Sequence, residues 1–215
     1  PDHLADGHLA PALDVRRGRP DAEPRAARIV DLTVAAGDEI DAEMIALARA
    51  GEPDRYVAAT LAPAAHRAAL IAIAAFAADL RRIPSAVKEP MMGEIRLQWW
   101  RDVIEGFKGE ALALGHPVAD ALRDAVRRYG LSTEALVAMT EARAFDLYPD
   151  PMPDRAAFDG YISRREAVPF MLALSVLGAS ADTAAKLGDM AGRAYGVTRL
   201  LAEPSFGRAQ TDGVR

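Results

Sequence analysis

The chain contains no cysteine in its 215 residues, and aromatic residues make up only 6% of it. Without cysteine there is no disulfide framework, no thiolate nucleophile and no zinc site with cysteine ligands. The longest apolar stretch, residues 68–78, is too short to span a bilayer, and the first residues lack the basic and then apolar layout of a signal peptide. We therefore expect a cytoplasmic protein, for which peripheral association with the inner face of a membrane stays open.

Acidic residues outnumber basic residues, and the formal net charge is -5. Nucleic-acid binding requires a basic surface that neutralises phosphates, so we expect no nucleic-acid partner. Glycine-rich phosphate loops and nucleophile elbows are missing as well. His66 and His116 lack the spacing of a metal site or of a catalytic triad. These absences leave other enzyme classes without a supporting motif.

Alanine is the abundant residue, and it dominates an apolar fraction of 51%. Alanine is the best helix former, and no alternation of apolar and polar residues is long enough to predict a strand. The pattern therefore predicts an all-α protein. We expect residues 1–38, rich in Pro, Gly, Asp and Arg, to be a flexible tail, residues 39–204 to be the helical domain, and residues 205–215 to be an irregular tail.

Proline and glycine residues set the helix boundaries that we expect. Pro84 is expected to end the third helix, and Pro169 to kink the seventh. Asp54 is an acceptable N-cap for the second helix. In chain order, the predicted helices cover residues 41–50, 54 onward, 64–82, a segment that includes 92–103, then 117–129, 132–147, 154–177 and 181–201.

Two apolar faces run along the fourth predicted helix. Its two tryptophans are more typical of core anchors than of groups that stack on a ligand, because an indole ring buries a large apolar area. One face carries Met92, Ile95, Trp99 and Val103, and the neighbouring face carries Leu97, Trp100 and Ile104.

Residues 54–107, and within them the sequence Arg-Leu-Gln-Trp-Trp at 96–100, resemble the front half of a squalene/phytoene synthase. The short motif is most similar to the branch that includes mitochondrial complex I assembly factors and their bacterial relatives. The resemblance covers roughly residues 54–203. It implies an isoprenoid-synthase-like single bundle of helices around a central cavity, here without the two or three C-terminal helices of the family. Either the chain is a fragment, or other means such as a partner subunit close the bundle.

The resemblance also implies where catalytic acids should lie. Working synthases hold two prenyl diphosphates through Mg²⁺, which prefers carboxylate and phosphate oxygens, bridged by aspartates from two facing helices. The columns of the first Asp-x-x-x-Asp motif fall on Arg81 and Ser85, with Arg82 at the adjacent acidic position. Arginine at these positions would repel the metal.

The second acidic motif is similarly altered. Gly196 stands in the Gln column, Arg199 stands in the Asn column, and Glu203 is the one acid left. One carboxylate cannot organise a site for several metal ions. We therefore assign no catalytic residue and no metal ligand, and expect no cofactor unless the chain is a working transferase, which would need Mg²⁺. Asp146, which falls on an aspartate column of a central helix, is expected to hold structural hydrogen bonds.

Several side chains remain candidates for contact with a ligand. A guanidinium can bind phosphate directly, so a metal-free site is one interpretation of the arginines, and a solvated pair at a helix end is the other. The candidates for a substrate or diphosphate pocket are Arg67, Arg81, Arg82, Tyr161, Arg199 and Glu203, and the candidates for a cavity wall are Phe76, Trp99 and Phe170.

Three functions compete at this point. The first is a non-catalytic scaffold that binds a protein partner, a lipid or an isoprenoid diphosphate, as the resemblance to the assembly-factor branch implies. The second is an active head-to-head prenyltransferase that makes squalene or phytoene. The third is a structural helical module. The two altered acidic motifs favour the first.

Overall fold

The computed structural model describes residues 40–109 and 115–202, and these residues form helices joined by short connections, with no strand among them. The all-α prediction is therefore confirmed. The predicted tails and Glu203 lie outside the described residues. The helices are α1 (Ala42–Gly51), α2 (Pro53–Leu61), α3 (Ala64–Ala86), α4 (Pro90–Glu105), α5 (Pro117–Tyr129), α6 (Thr133–Phe145), α7 (Arg155–Ile162), α8 (Val168–Val176) and α9 (Ala181–Ala202), with a 3-10 turn at Gly106–Lys108 and a π-helical turn at Ser163–Ala167.

Side-chain caps begin three of the helices at the predicted places. In each, an oxygen of the capping side chain accepts a hydrogen bond from a backbone N–H three residues later, which satisfies a donor that the first helical turn leaves free. The caps are Asp41 for α1 at 3.0 Å, Ser132 for α6 at 3.0 Å and Asp154 for α7 at 2.8 Å.

Two predicted boundaries are wrong. The second helix begins at Pro53, with Glu52 as its N-cap, instead of being capped by Asp54. Proline suits this place because its fixed φ matches the helix and its missing N–H is not needed in the first turn. The third helix runs past Pro84 to Ala86. A proline so near the end removes only one intrahelical hydrogen bond, and the last turn tolerates that loss.

Helix α3 is the centre of the fold. Every residue from 69 to 80 is buried, and the helix contacts α1, α2, α4, α5, α6 and α8. A helix that is apolar around its whole circumference must be enclosed by others, and its alanines let those neighbours approach closely. Among the helices that the structure describes, none combines the length and hydrophobicity needed to cross a membrane.

The seventh predicted helix is divided by the π-helical turn. Helix α7 leads into this turn, and α8 follows it with Pro169 in its first turn. The distortion expected at the proline therefore lies in the turn before it, where a proline has no N–H to offer to the preceding carbonyls. The π-helical turn buries the charged side chains of Arg165 and Glu166.

Helix α9 packs against this region through a glycine face, made of Gly188, Gly192 and Gly196. A Cβ atom added to Gly192 would lie 2.2 Å from the Cα of Ala167, and one added to Gly196 would lie 2.9 Å from the Cγ of Glu166. Only glycine permits backbones to come this close. The close approach brings Arg199, one turn further along α9, to the side chains of the π-helical turn.

The two apolar faces of α4 have different surroundings. Trp100 is 1% exposed and packs edge-on against Phe76, with 4.8 Å between the ring centroids. Trp99 is 40% exposed, and Met92 and Ile95 on the same face are exposed as well. The expectation of a core anchor is therefore confirmed for Trp100 and wrong for Trp99. Periodicity alone could not choose between the faces, because both are apolar.

Candidate functional site

Five charged side chains from α2 and its cap, the π-helical turn and α9 meet inside the bundle. We refer to Glu52, Arg55, Arg165, Glu166 and Arg199 as the ionic cluster. Both carboxylates are almost fully buried, at 0% and 1% exposure for Glu52 and Glu166. A charge at such depth is strongly destabilising unless partners surround it, so the contacts among these groups decide whether the fold is stable.

Arg199 binds Glu52 with both ends of its guanidinium. Its Nη1 donates to Oε2 at 2.6 Å and its Nη2 donates to Oε1 at 2.9 Å. This fork is the strongest arrangement that the two groups can form. Arg55 also donates to Oε2 of Glu52, from the next turn of the same helix. The carboxylate of Glu52 is therefore held by two guanidiniums.

Glu166 is held by three guanidiniums. Arg55 donates from Nη2 to Oε2 at 2.8 Å, and Arg165 donates from Nε to Oε1 at 3.2 Å. Nη1 of Arg199 lies 3.5 Å from Oε2. Arg55 and Arg199 therefore bridge the two carboxylates, and residues separated by more than a hundred positions in the sequence are joined by one network.

Aromatic rings cover the open side of the ionic cluster. The guanidinium carbon of Arg55 lies 5.4 Å from the ring centroid of Phe170 and 5.0 Å from that of Tyr195. Arg199 lies over the same tyrosine at 5.3 Å. The Tyr195 hydroxyl donates to Asp54 at 3.1 Å. These rings attract the cations through their faces and keep water away from the ion pairs.

The protonation of Glu52 and Arg55 follows from these contacts. Burial alone would raise the pKa of Glu52, but hydrogen bonds from Arg199 and Arg55 and their charges more than offset it, so its pKa lies below the ordinary value. Burial would lower the pKa of Arg55, but Glu52 and Glu166 hold it above the ordinary value. Glu52 and Arg55 are therefore both charged near neutral pH.

A second polar contact extends from the ionic cluster toward α6. The Tyr161 hydroxyl donates to Oδ1 of Asp146 at 2.6 Å, and Arg165 donates to that hydroxyl. Arg143 donates to the other oxygen of Asp146 at 3.0 Å. Burial, and then the charge of Asp146, raise the pKa of Tyr161. The phenol therefore stays protonated, and Asp146 has the structural hydrogen-bonding role expected of it.

The candidate arginines of α3 form hydrogen bonds with groups outside the ionic cluster. Arg81 donates to the carbonyl of Gly51 at 3.2 Å. Arg82 pairs with Asp79 at 2.7 Å, and 62% of its side chain is exposed. Arg67 donates to the carbonyl of Ala62 at 2.8 Å. Fourteen residues of α3 separate Arg67 from Arg81, or about 21 Å of helix, so the structure does not bring the three arginines together.

The remaining candidates have separate places. Phe76 lies in the core beneath Trp100, Phe170 covers the ionic cluster, and Trp99 lies at the surface of α4. Of the residues predicted for a substrate pocket, Arg199 belongs to the ionic cluster and Tyr161 is joined to it through Arg165. The structure therefore divides the predicted site into a buried polar region and a surface region.

The buried carboxylates do not fit the Mg²⁺ site that the family resemblance implies. Mg²⁺ needs open oxygen ligands in octahedral geometry, whereas guanidiniums bind both oxygens of Glu52 and of Glu166. Over residues 40–109 and 115–202, no group of three or more His, Cys, Asp or Glu side chains could hold a metal ion. Glu52 and Glu166 therefore present no open carboxylate oxygen pair to a metal ion.

Sequence reasoning missed Glu52, Arg55 and Glu166 as members of the site. Glu166 is 111 positions from Arg55, and Glu52 is 147 positions from Arg199, so no local spacing connects them. One signal was present in the sequence. Arg165 and Glu166 lie in a segment predicted to be helical, directly before the apolar run that begins at Ala167. Charged residues there indicate buried partners elsewhere in the chain.

Comparison with known proteins finds relatives that share a name. The bovine (Bos taurus) protein named NADH dehydrogenase (ubiquinone) complex I, assembly factor 6, is 28% identical over 181 residues, which are 81% of this chain and 54% of that protein. The human (Homo sapiens) protein of the same name is 27% identical over 162 residues, which are 75% of this chain and 48% of that protein. The chain spans about half the length of these curated relatives.

No solved structure matches the chain significantly. The family model for squalene/phytoene synthase matches residues 48–203, a segment that includes the ionic cluster and both altered motifs. The chain therefore belongs to the squalene/phytoene synthase family.

Proposed function

We propose that this chain is a non-catalytic scaffold of the squalene/phytoene synthase family, and that it binds a protein partner during the assembly of respiratory complex I. The ionic cluster is the observation that carries the proposal. Arg199, at a position where the resemblance implies a polar metal-site residue, forms a two-pronged ion pair with Glu52. An internal carboxylate therefore binds the side chain that would otherwise face a ligand.

The chemistry of the family supports this inference. Transfer of a prenyl group from a diphosphate needs cations that neutralise the leaving phosphates. In this chain the buried carboxylates neutralise arginines instead of metal ions. Arg81 and Arg82, which replace acids on α3, add positive charge at the other motif. Both changes act against the same step of the reaction, the binding of metal with diphosphate.

The relatives supply the biological part of the proposal. Proteins named as complex I assembly factors match 74–81% of this chain, and family membership by fold does not require catalysis. We carry the assembly role over to this chain as a proposal because it covers only about half of each relative.

Ligand-dependent unfolding tests the loss of catalysis. We expect the midpoint of thermal unfolding to be unchanged by farnesyl or geranylgeranyl diphosphate, with or without Mg²⁺. A working synthase would be stabilised by metal and diphosphate together, by about 2.7 kcal/mol at a ligand concentration one hundred times the Kd. Metal-dependent stabilisation would therefore restore the prenyltransferase interpretation. Stabilisation without metal, lost in Arg81→Ala, would indicate direct binding of phosphate.

Deletion of the gene tests the assembly role. In the source organism we expect membranes of the deletion strain to lose assembled complex I on native gels and NADH:quinone oxidoreductase activity. The wild-type chain and Asp182→Ala should both restore them, because Asp182 lies in an exposed ion pair on α9, away from the ionic cluster. Normal complex I in the deletion strain would refute this role.

A further inference from the structure

The exposed face of α4 borders a groove of about 470 Å³ between α4, the end of α3 and the start of α5. We call it the Trp99 groove, after the residue at its centre. Its side walls include Arg82, Ile95, Arg96 and His116. This is a surface region of the molecule, and the ionic cluster takes no part in it.

Two apolar residues of the Trp99 groove, Ile95 and Trp99, belong to a helical stripe that continues to Met92 outside the groove. Met92, Ile95 and Trp99 are 51%, 56% and 40% exposed and follow each other at spacings of three and four residues. A stripe with this spacing is the surface on which an amphipathic helix of a partner lies. Tryptophan, methionine and arginine are also the residues enriched in protein interfaces.

Trp99 is held in place before any partner binds. Its ring lies against Trp100, with 4.9 Å between the centroids, and against His116, with 5.1 Å between the centroids. Trp100 is fixed in turn, because its Nε1 donates to Asp79 at 2.9 Å. A side chain ordered in advance loses little conformational entropy on binding, so Trp99 is suited to be an anchor.

Positive charge follows one side of the stripe. One nitrogen of Arg82 donates a hydrogen bond to Asp79, and 62% of the Arg82 side chain is exposed. Arg96 is exposed, and no ion pair joins it to another residue within the described part of the chain. Arg82 and Asp79 offset each other's charge, so the net positive charge beside the groove comes from Arg96, which attracts carboxylates.

We propose that the Trp99 groove binds an amphipathic helix of a partner protein, with its apolar face on Ile95 and Trp99 and an acidic flank against Arg96. The choice of a protein partner rests on the proposed function, and the inference adds the chemistry of that partner. A concave groove fits a helical rod better than a flat bilayer. Glu94 and Asp102, exposed on the other flank of the stripe, would also be repelled by an anionic membrane.

Helix α9 provides a matched control surface. Its outward face exposes Leu187, Met190, Val197 and Leu201, and its charges are paired along the helix, as in Lys186 with Asp182 and Arg193 with Asp189. Paired charges do not select a charged partner. Met190→Ala therefore removes a comparable exposed side chain without touching the Trp99 groove.

Binding of two synthetic helices to the full chain tests the proposal. Both peptides are about 18 residues long, or five helical turns, and share one stripe of leucines. One carries glutamates along a flank, and the other carries lysines in the same places. By isothermal titration we expect the glutamate helix to bind at least about tenfold more tightly, since like charges oppose the lysine helix.

Variants then assign the binding to the groove. Trp99→Ala should weaken binding of the glutamate helix about tenfold, as loss of an anchor does. Met190→Ala should leave that binding unchanged. Arg96→Glu should reduce the preference for the glutamate helix or reverse it. Trp99 and Arg96 are exposed, so both variants should fold, and circular dichroism with the unfolding midpoint checks that they do.

Three results would overturn the proposal: no binding of the glutamate helix at millimolar concentration, equal binding of both peptides, or equal losses in Trp99→Ala and Met190→Ala. Vesicles of phosphatidylserine and phosphatidylcholine form a further arm. Vesicle binding that depends on Trp99, without peptide binding, would assign the groove to a membrane and overturn the proposal as well.

These results are separate from the test of the proposed function. Peptide binding is measured on the chain alone and does not depend on complex I. If the peptide binds through Trp99 but the deletion strain has normal complex I, the groove proposal stands and the assembly role is rejected. Loss of complex I without peptide binding would do the reverse.

Discussion

The two places where the family resemblance expected catalytic acids differ in depth. At the end of α3, Arg81 is half-buried, and Arg82 exposes most of its side chain. On α9, Arg199 exposes only 13% of its side chain and shares Glu52 and Glu166 with Arg55. Water therefore solvates most of Arg82, whereas carboxylates from other elements surround Arg199.

The difference shows how burial controls the consequences of a change of charge. A metal ion and its ligands neutralise each other in the interior, and removal of one charge leaves the other uncompensated. At the surface water and salt screen the remaining charge. Substitutions in the two places should therefore differ in their effect on the free energy of unfolding.

Glu52→Ala should give the largest effect. It leaves Arg55 and Arg199 buried with one carboxylate fewer, and breaking a buried ion pair in this way destabilises by about 3–5 kcal/mol. Urea denaturation at pH 7 measures the loss, and Asp182→Ala, which removes an exposed partner of Lys186, should cause little change. A loss below about 1 kcal/mol for Glu52→Ala would mean that the ion pairs contribute as little as surface pairs do.

The pH dependence of the same ion pairs should be nearly as large. The pKa of Glu52 lies below its ordinary value of 4.5 in the folded state, so its contribution to stability is present above the unfolded pKa and is lost as the pH falls through the folded pKa. Denaturation of the wild type and of Glu52→Gln from pH 7 to pH 3 measures this. The gap in stability between them should shrink in acid, and a constant gap would contradict the prediction.

Gly192→Ala should have an intermediate effect. Its new Cβ would lie 2.2 Å from the Cα of Ala167, so α9 must move away, and overpacking of this kind destabilises by about 1–3 kcal/mol. Gly106→Ala is the matched control, because its φ of -70° suits alanine and no atom lies within 4 Å of the added Cβ. Thermal unfolding should separate the two, and equal midpoints would show that the contact relaxes easily.

Arg82→Ala should give the smallest effect. Its pair with Asp79 is exposed on the arginine side, and Asp79 keeps the hydrogen bond from Trp100, so the loss should stay within about 1 kcal/mol. The same urea denaturation measures it. If the loss approached that of Glu52→Ala, depth would not explain the contrast between the two places.

Local signals predicted much of the fold. The caps Asp41, Ser132 and Asp154 act through hydrogen bonds to their own helices, and such contacts can be read from neighbouring residues. The exposure of Trp99 could not be read in this way, because α4 has two apolar faces and tertiary packing decides which one is covered. Nor could two partners of Glu166 be read in this way, because Arg55 comes from α2 and Arg199 from α9.

The candidate site could be predicted only in part, because its members come from distant parts of the sequence. The resemblance identified Arg199 as a residue in an unusual place, since that comparison concerns one position at a time. It could not supply Glu52, whose role depends on the close packing of α9. That packing depends on the glycines of α9. A glycine has no side chain, so the sequence alone does not show that a charged site lies beside it.

The two-pronged ion pair between Glu52 and Arg199 also has an evolutionary consequence. Replacing Arg199 by asparagine, the residue that the family resemblance implies for its column, would leave Glu52 buried with Arg55 as its remaining partner in the pair contacts described above. Replacing Glu52 first would leave excess positive charge. Glu52 and Arg199 therefore depend on each other, so we expect a substitution at either position to be tolerated only together with a compensating change at the other.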